Sequence, residues 1–404
     1  MVLSKSGWLN KEVISISFSA FFADLGYQAV MAGFPVFLVL VLKAPVWVFG
    51  LAMGIAYGPG ALFGLIGGIL GDKLDHKRVS TFGNSLIGFL SMSGIASVLW
   101  IAILFIVLGW WARNFRTPSR RVLLARAVSE DDRSKAFGFL HALDVGGGML
   151  AGIYLVLLVA FGVSFSKIFL ITLIPIAIST ALLASVRVNG TAENSDYDSS
   201  HASVKSPNEW VPVRRTLFRA ILVATLLYGF SSYSFGFPIL TVSQKIHSST
   251  AGLAAFIVFL GVSSVVGLLA GRYVPNNSVG LSLFGFLPAA VGSELIGISY
   301  VFGLGLWVYY LAVCFLGAGL GVIETIEPTL VAKYVPEAIA GKGMGYLTGS
   351  RSLGLFLGNI LLGALYLAGP FIAYTYATAS AVCAVFVLLS AWLYTASERT
   401  GTPV

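Results

Sequence analysis

The chain has 404 residues, of which 57% are hydrophobic and only 10% are charged, and its formal net charge is +8. A soluble domain carries about 25% charged residues, so this composition excludes an ordinary water-soluble protein. Inside a bilayer every backbone polar group needs a partner within the protein, and the long apolar runs lack the short alternation of outer-membrane strands. The predicted fold class is therefore all-α.

Twelve apolar stretches, each long enough to cross a bilayer as a helix, follow one another along the chain. The first six cover about 13–42, 46–71, 79–97, 99–126, 134–161 and 165–186. The second six cover about 216–243, 250–272, 279–302, 304–332, 341–368 and 371–396. The first stretch is too long for the core of a signal peptide, so we expect it to stay as a membrane helix. We predict a polytopic membrane protein with twelve transmembrane helices.

A polar segment divides the twelve stretches into two sets of six. Residues 187–215 are rich in Ser, Asn, Asp and Glu, which is typical of a flexible linker. Residues 128–152 align without gaps on residues 335–359, so the two sets share a faint internal repeat. We predict an N-terminal six-helix bundle over 1–186, a cytoplasmic linker over 187–215, and a C-terminal six-helix bundle over 216–404.

The positive charges indicate how the chain is oriented, because Lys and Arg are retained on the cytoplasmic side of a membrane. With both termini inside, only Lys43, Lys167 and Lys245 among the basic residues fall on outer connections. We expect a multi-pass protein of the cell membrane with both termini in the cytoplasm. We expect its positive charge to contact membrane lipid headgroups, and we expect no nucleic-acid partner.

The loop after the second stretch holds the most specific motif. It reads GILGDKLDHKR from Gly68 to Arg78, which is a glycine, then an acid, then a basic cluster. This motif resembles the loop signature of the major facilitator superfamily of transporters. The segments RTPSRRVLLARAVSEDDRSKAFGF and SAFFADLGYQAVMAGFPVFL are similar to sequences of its prokaryotic members. The resemblance implies a secondary transporter in which two six-helix bundles rock about a central solute site.

The same resemblance implies a gate at this loop. Asp72 is expected to lie against the N-terminal end of the eleventh helix, where unpaired backbone NH groups favour a negative charge. Family members tend to have an acid near the end of the fourth helix, where this chain has Arg126, and a glycine where it has Asp75. We therefore predict an ion pair between Asp75 and Arg126, with a plain solvated charge run as the alternative. The candidate gating residues are Gly68, Asp72, Asp75, Lys77, Arg78 and Arg126.

Several ionisable side chains lie near the middle of predicted spans, where a charge is costly and usually functional. They are Asp24, Arg113, Arg116, Asp144, Glu324 and Arg351. Because successive antiparallel helices are usually neighbours, we predict that Arg116 or Arg113 pairs with Asp144. By the same argument Glu324 pairs with Arg351. Such pairs either bind solute and rearrange during transport, or only hold helices together.

Asp24 has no evident basic partner in the sequence. A desolvated carboxylic acid without a partner exchanges protons near neutrality, so Asp24 is the first candidate for a proton carrier. Asp144 is the second candidate, active when its arginine is drawn away. The alternative for Asp24 is a neutral acid that is hydrogen-bonded to Tyr27 or Gln28.

The candidate solute-binding residues combine charged, amide and aromatic side chains that suit an amphipathic organic ion. They are Arg113, Arg116, Glu324, Arg351, Tyr27, Gln28, Tyr228, Tyr233 and Asn359. Glu327 lies one turn from Glu324, and this spacing resembles a cation-attracting pair. The alternative is that Glu327 caps Lys333.

The sequence has no metal-ligand cluster, nucleotide-binding loop or nucleophile motif, so we predict no enzyme activity, no metal and no cofactor. Residues 144–152, DVGGGMLAG, are similar to an antiporter motif of the family, although Ile153 stands where a proline is usual. Proton-driven export of amphipathic compounds is slightly favoured by the resemblance. Proton-coupled movement of an anionic metabolite held by Arg113, Arg116 or Arg351 is the alternative. A membrane-embedded enzyme or receptor-like scaffold is a different class. We expect a monomer whose partners are a small-molecule solute and protons.

Overall fold

The computed structural model describes residues 7–44, 46–187, 212–231 and 235–400. Every regular element within these ranges is a helix, which confirms the all-α fold class. The helical elements fall into twelve stretches that agree in position with the predicted spans, and nine helices of the described part are long and apolar enough to cross a membrane. Residues 188–211, most of the predicted linker, and Tyr233 lie outside the described residues, so the linker boundaries stay a prediction.

The first half contains six helices. They are α1 (Lys11–Val36), α2 (Val46–Lys73), α3 (His76–Leu86), α4 (Leu99–Arg126), α5 (Arg133–Ala160) and α6 (Phe165–Ser185). A π-helical turn, Phe37–Val41, extends α1, and the short helix Gly88–Met92 continues α3. Asn10 begins α1 as an N-cap, because its side-chain oxygen accepts a hydrogen bond from the Val13 backbone NH at 2.9 Å.

The second half repeats this plan. Its helices are α7 (Pro212–Ser231, followed by Gly236–Ile246), α8 (Ser249–Tyr273), α9 (Ser278–Phe302), α10 (Leu306–Tyr334), α11 (Ala340–Ala368) and α12 (Pro370–Thr400). A π-helical turn, Ser282–Phe286, lies inside α9. We call the side of the molecule that carries the connections α2–α3, α4–α5, α8–α9 and α10–α11 the basic end.

The two halves meet most extensively along two pairs of helices, α2 with α11 and α5 with α8. Glycine permits the close approach, as is common between membrane helices. A Cβ atom added at Gly68 would overlap the carbonyl group of Gly341, and one added at Gly138 would overlap the carbonyl oxygen of Gly267. The backbones of the two halves therefore touch directly at these positions.

The apolar core shows where the halves are joined and where they separate. At the basic end one continuous cluster includes residues of both halves, among them Leu123, Phe137, Leu330 and Leu347. Toward the other end the buried clusters divide, one formed by α1 to α6 and another by α7 to α12. The described conformation is therefore sealed at the basic end.

Two helices that carry buried charges, α4 and α10, each contain an internal proline. Pro118 lies in α4 and Pro328 in α10. A proline has no backbone NH, so each interrupts one helical hydrogen bond and favours a bend. In α4 the hydroxyl of Thr117, the residue before Pro118, donates a hydrogen bond to the Arg113 carbonyl at 2.8 Å. The prolines thus place local irregularity beside the charged residues.

Candidate functional site

The first charged cluster lies among α1, α3, α4 and α5. The side chain of Arg116 is completely buried, and its Nη1 donates a hydrogen bond to Asn84 Oδ1 at 2.5 Å. Arg113 Nε donates to the Tyr27 hydroxyl at 2.8 Å, and its guanidinium lies 5.4 Å from the Tyr27 ring centre and 4.9 Å from that of Trp110. Both arginines are therefore held by neutral or aromatic groups.

The predicted pairing of Asp144 with Arg116 or Arg113 is wrong. Asp144 Oδ1 lies 3.4 Å from Arg120 Nη1. The prediction assumed that successive helices pack together, whereas α5 packs mainly against α1 and α8. Arg113, Arg116 and Arg120 share one face of α4. Asp144 pairs with Arg120, which is the one nearest the basic end.

Asp24 is almost fully buried on α1, with 4% of its surface exposed. Gln28 Nε2 donates a hydrogen bond to Asp24 Oδ2 at 3.3 Å, while Asp24 Oδ1 has no hydrogen-bond partner in the described part of the chain. The Asp144 carboxyl group lies close enough for its charge to interact with that of Asp24. One carboxyl oxygen thus stands unbonded in a buried setting, which is costly for an ionised acid.

The second charged cluster joins α4, α7, α10 and α11. The predicted pair between Glu324 and Arg351 is confirmed, since Arg351 Nη1 bonds to Glu324 Oε1. Arg351 Nη2 also bonds to Glu327, which is fully buried and accepts a further hydrogen bond from Thr225 Oγ1 at 2.9 Å. Glu327 therefore does not cap Lys333, because it neutralises Arg351.

Arg121 extends this cluster across the two halves. Its Nη2 lies 2.9 Å from Glu324 Oε2, which links α4 of the first half to α10 of the second. Nearby, His141 Nε2 and Ser263 Oγ are 2.9 Å apart and link α5 to α8. These contacts must break if the halves move apart at the basic end.

Sequence reasoning missed Arg120 and Arg121 as members of the two clusters. Both side chains are buried, with 4% and 11% of their surface exposed. They lie only about two turns from the end of α4, so the sequence analysis assigned them to the basic residues of the cytoplasmic side. The helical spacing from Arg113 through Arg116 to Arg120 was the available signal, because it places three guanidinium groups on one face.

A cavity of about 200 Å³ lies in the second half beside Glu324 and Arg351. It is lined by Tyr228, Ser231, Phe235, Phe259, Ala289, Leu316, Leu320, Glu324, Arg351 and Leu355. Three of the predicted solute-binding residues thus meet in one space. Tyr27 and Gln28 lie instead in the first cluster with Arg113 and Asp24. Asn359 is absent from this lining, and its amide donates a hydrogen bond to the Leu355 carbonyl of its own helix at 2.7 Å.

The loop motif joins α2 to α11 through a contact that we call the latch, with Asp72 at the helix end where the resemblance placed it. Its role in gating stays a prediction. The Asp72 carboxylate accepts hydrogen bonds from the backbone NH groups of Gly341 and Lys342, at 2.7 Å and 2.7 Å. His76 Nε2 lies 3.3 Å from Asp72 Oδ1, and His76 Nδ1 lies 3.3 Å from Ser119 Oγ. The His76 ring therefore lies between Asp72 and Ser119 and helps to hold the Asp72 carboxylate in position. Burial, and then the charge of Arg126, hold the pKa of His76 below its ordinary value.

The predicted ion pair between Asp75 and Arg126 is wrong. Arg126 Nε lies 3.3 Å from Glu337 Oε1, across the two halves. Asp75 Oδ1 instead accepts a hydrogen bond from the Arg78 backbone NH at 2.6 Å. It is the N-cap of α3, and satisfying a free helix NH turns its side chain toward its own helix. The predicted gating roles of Lys77 and Arg78, which stand on the adjacent surface of α3, stay a prediction.

These features define a class: a multi-pass membrane transporter whose two six-helix bundles meet at buried charges. The chain belongs to the Major Facilitator Superfamily, whose family model matches residues 16–302. Members are secondary transporters that bind small-molecule substrates and are typically monomeric, so the protein is a transporter and not an enzyme.

Solved structures share this fold. The human organic anion transporter MFSD10 superposes with a TM-score of 0.71 at 15% identity, covering 93% of this chain and 99% of that one. The proton:xylose symporter XylE gives 0.71 at 14% identity, covering 94% and 95%. A bacterial homologue of the iron transporter ferroportin, in an outward-facing state, gives 0.66 at 15% identity, covering 94% and 98%. No curated protein sequence matches the chain.

Proposed function

We propose that the protein carries an organic anion together with a proton. The observation that supports this is the environment of Arg113 and Arg116. Neither guanidinium has a carboxylate oxygen within 4.0 Å in the described part of the chain, although Arg116 is fully buried. A buried guanidinium that is not directly paired keeps part of its desolvation cost, so a bound anion would offset that cost.

The distribution of charge between the clusters favours the first one as the anion site. Arg121 and Arg351 are balanced by Glu324 and Glu327. The three arginines at 113, 116 and 120 face only the carboxyl groups of Asp24 and Asp144. Arg113 is the proposed contact with the solute, because it is less buried than Arg116 and stands at the aromatic rings of Tyr27 and Trp110.

Asp24 is the proposed proton carrier, and Asp144 the second. Protonation of Asp24 removes a negative charge near Arg113, so the proton and the anion strengthen each other's binding. Mutual strengthening favours their movement in the same direction. A cationic solute would instead compete with the proton, which favours exchange in opposite directions.

The sealed basic end supports alternating access. We infer that it faces the cytoplasm of the cell, because Lys and Arg concentrate there. In the described conformation the solute site is then closed from the cytoplasm. Rocking of residues 1–186 against residues 216–404, which the linker 187–215 permits, would break the Asp72 latch and open that side.

Export of an amphipathic compound by proton exchange stays a prediction, because the positions of the described residues do not test the direction of transport. The two functions differ in the sign of their pH dependence. Anion binding that rises toward acid pH supports the proposal, whereas cation binding that rises toward alkaline pH supports export.

The test is a thermal-shift screen of the purified protein with organic carboxylates, organic sulfonates and tetraphenylphosphonium at pH 6 and pH 8. A ligand at ~100 times its dissociation constant adds ~2.7 kcal/mol to stability, which is measurable. We expect an anion to stabilise the wild type more at pH 6. Arg113→Gln should lose the effect, while Arg272→Gln, an exposed arginine at the basic end, should retain it.

Asp24→Asn completes the design, because the amide mimics a permanently protonated acid. We expect this variant to bind the anion with no pH dependence and to lose gradient-driven transport in proteoliposomes. Unchanged proton-driven transport in Asp24→Asn would contradict the assignment of the proton. Unchanged anion binding in Arg113→Gln would contradict the assignment of the solute.

A further inference from the structure

Asn84 is a buried amide at the contact between α3 and the first charged cluster. Its side chain has no exposed surface, and its Oδ1 accepts a hydrogen bond from Arg116 Nη1 at 2.5 Å. The helices α3 and α4 approach closely here, because a Cβ atom added at Gly83 would lie only 3.1 Å from the Arg116 backbone nitrogen. A short side chain on α3 therefore reaches the guanidinium group of Arg116 directly.

The other side of the amide is anchored to α6. Asn84 Nδ2 donates hydrogen bonds to Thr180 Oγ1 at 2.7 Å and to Ser179 Oγ at 3.0 Å. The Thr180 hydroxyl donates its own proton to the Ile176 carbonyl at 2.9 Å. The Ser179 hydroxyl donates its shortest hydrogen bond, at 2.6 Å, to the Ser19 carbonyl. Because only the lone pairs of these hydroxyl groups are available to the amide, its NH2 group faces α6 and its oxygen faces the guanidinium group.

This arrangement holds Arg116 without neutralising it. A fully buried arginine is normally paired with an acid, whereas the amide oxygen of Asn84 is a neutral acceptor. The nearest acid of the cluster, Asp144, bonds to Arg120 instead. The first cluster thus combines three guanidinium groups with only two carboxyl groups, those of Asp24 and Asp144. It retains an excess of positive charge as long as position 84 is neutral.

We propose that Asn84 is the residue that makes the first cluster selective for anions. This inference rests on the proposed function, because it concerns the same solute site. The amide fixes the position of Arg116 and leaves its charge to act on a solute at Arg113, one helical turn away. An acid of the same shape would give the Arg116 guanidinium a counter-ion and remove the excess of positive charge. Asn84 acts through Arg116, so it is a positioning residue.

Asn84→Asp tests the role of charge, because aspartate has the shape of asparagine. The hydroxyl groups of Ser179 and Thr180 can rotate to donate to the new carboxylate, since the helix carbonyls that they leave keep their backbone hydrogen bonds. A carboxylate in contact with the buried guanidinium of Arg116 should raise the melting temperature of the ligand-free protein. In the same variant, the affinity for organic carboxylates and sulfonates, measured by thermal shift at pH 6, should fall about tenfold. Loss of a merely structural side chain would lower the melting temperature instead.

A second set of variants tests the positioning of Arg116 without adding a charge. Thr180→Val removes one acceptor of the Asn84 amide and keeps the shape of the side chain, so the affinity for the same carboxylates and sulfonates should fall severalfold. Thr180→Ser, which keeps the hydroxyl group, should recover the affinity lost in Thr180→Val. The matched control is Thr172→Val, because Thr172 is also buried on α6 and its Oγ1 lies 2.5 Å from Ser91 Oγ, in the continuation of α3. This control should bind the anions like the wild type.

Each remaining outcome overturns the inference. Wild-type anion affinity in Asn84→Asp would refute the role of the neutral amide, and so would a loss of affinity accompanied by a lower melting temperature. Unchanged affinity in Thr180→Val would refute the anchoring by α6. Equal losses in Thr180→Val and Thr172→Val would mean that the packing of α6 on α3, and not the amide, decides the affinity. If no anion stabilises the wild type at pH 6 or pH 8, the proposed function itself fails, and that result is distinct because it needs none of these variants.

Discussion

Arg121→Gln should open the basic end of the transporter. Arg121 Nη2 and Glu324 Oε2, 2.9 Å apart, join the two halves, so the pair exists only while that end is closed. Glutamine removes the charge but keeps a polar side chain of similar reach. Glu324 retains its bond to Arg351, so the acid is not left alone and the variant should fold.

The magnitude follows from burial. The side chains of Arg121 and Glu324 are 11% and 22% exposed, so solvent screens the pair only weakly. A hydrogen bond to a charged group contributes ~1.5–3 kcal/mol, and here all of it belongs to the closed state. At ~1.4 kcal/mol per tenfold change, the ratio of open to closed molecules should rise ~10- to 100-fold.

Double electron–electron resonance measures this ratio directly. Spin labels at Leu74→Cys and Lys333→Cys, both exposed at the basic end and in different halves, report its opening after Cys314 and Cys383 are replaced by serine. We expect a longer distance to become populated in Arg121→Gln.

The control is Arg126→Gln, which breaks the other arginine–glutamate pair between the halves. Arg126 and Glu337 are 40% and 74% exposed, and such a pair contributes only ~0–1 kcal/mol. Its distance distribution should stay close to that of the parent. If Arg121→Gln leaves the distribution unchanged, or if both variants shift it equally, the buried pair is not the lock.

Three further predictions concern the contacts between the halves, each read with the same spin labels. Asp72→Asn should raise the open population severalfold, because it weakens two charge-assisted bonds to the Gly341 and Lys342 NH groups, and a normal distribution would refute the latch. Acidification below about pH 6.5 should favour opening, because the pKa of His76 is lowered only while the latch buries it; His76→Gln should abolish that pH dependence. Gly267→Leu should also favour opening, since a Cβ there meets the ring of His141 across the interface, and Gly261→Leu, with open space around it, should not.

Much of the fold could be predicted because its physical signal is local. A span needs a run of apolar residues, and the runs at 99–126 and 341–368 agree closely with α4 and α11. The latch was also predictable, since Asp72 lies in a motif whose partner is a helix end rather than one particular side chain. Backbone NH groups are present whatever the sequence.

Side-chain pairing was harder to predict, because it depends on which helices touch. Asp144 was matched with arginines on the next helix, yet α5 packs mainly on α1 and α8. Asp75 was matched by charge, but a helix N-terminus offered a nearer partner than Arg126. Charge and depth identify candidates for a site, whereas tertiary contacts choose among them.

The two consecutive arginines of α4 suggest how the solute site and the gate communicate. Arg120 turns toward Asp144 in the first half, and Arg121 turns toward Glu324 in the second. In the proposed function, an anion at Arg113 or a proton on Asp24 would change the electrostatic balance around Asp144, and that change would alter the position that Arg120 prefers. Because Arg120 and Arg121 share one helical turn, two residues after Pro118, a shift of the first moves the second against its cross-half partner. We therefore propose that solute binding and opening of the basic end are coupled through this segment of α4.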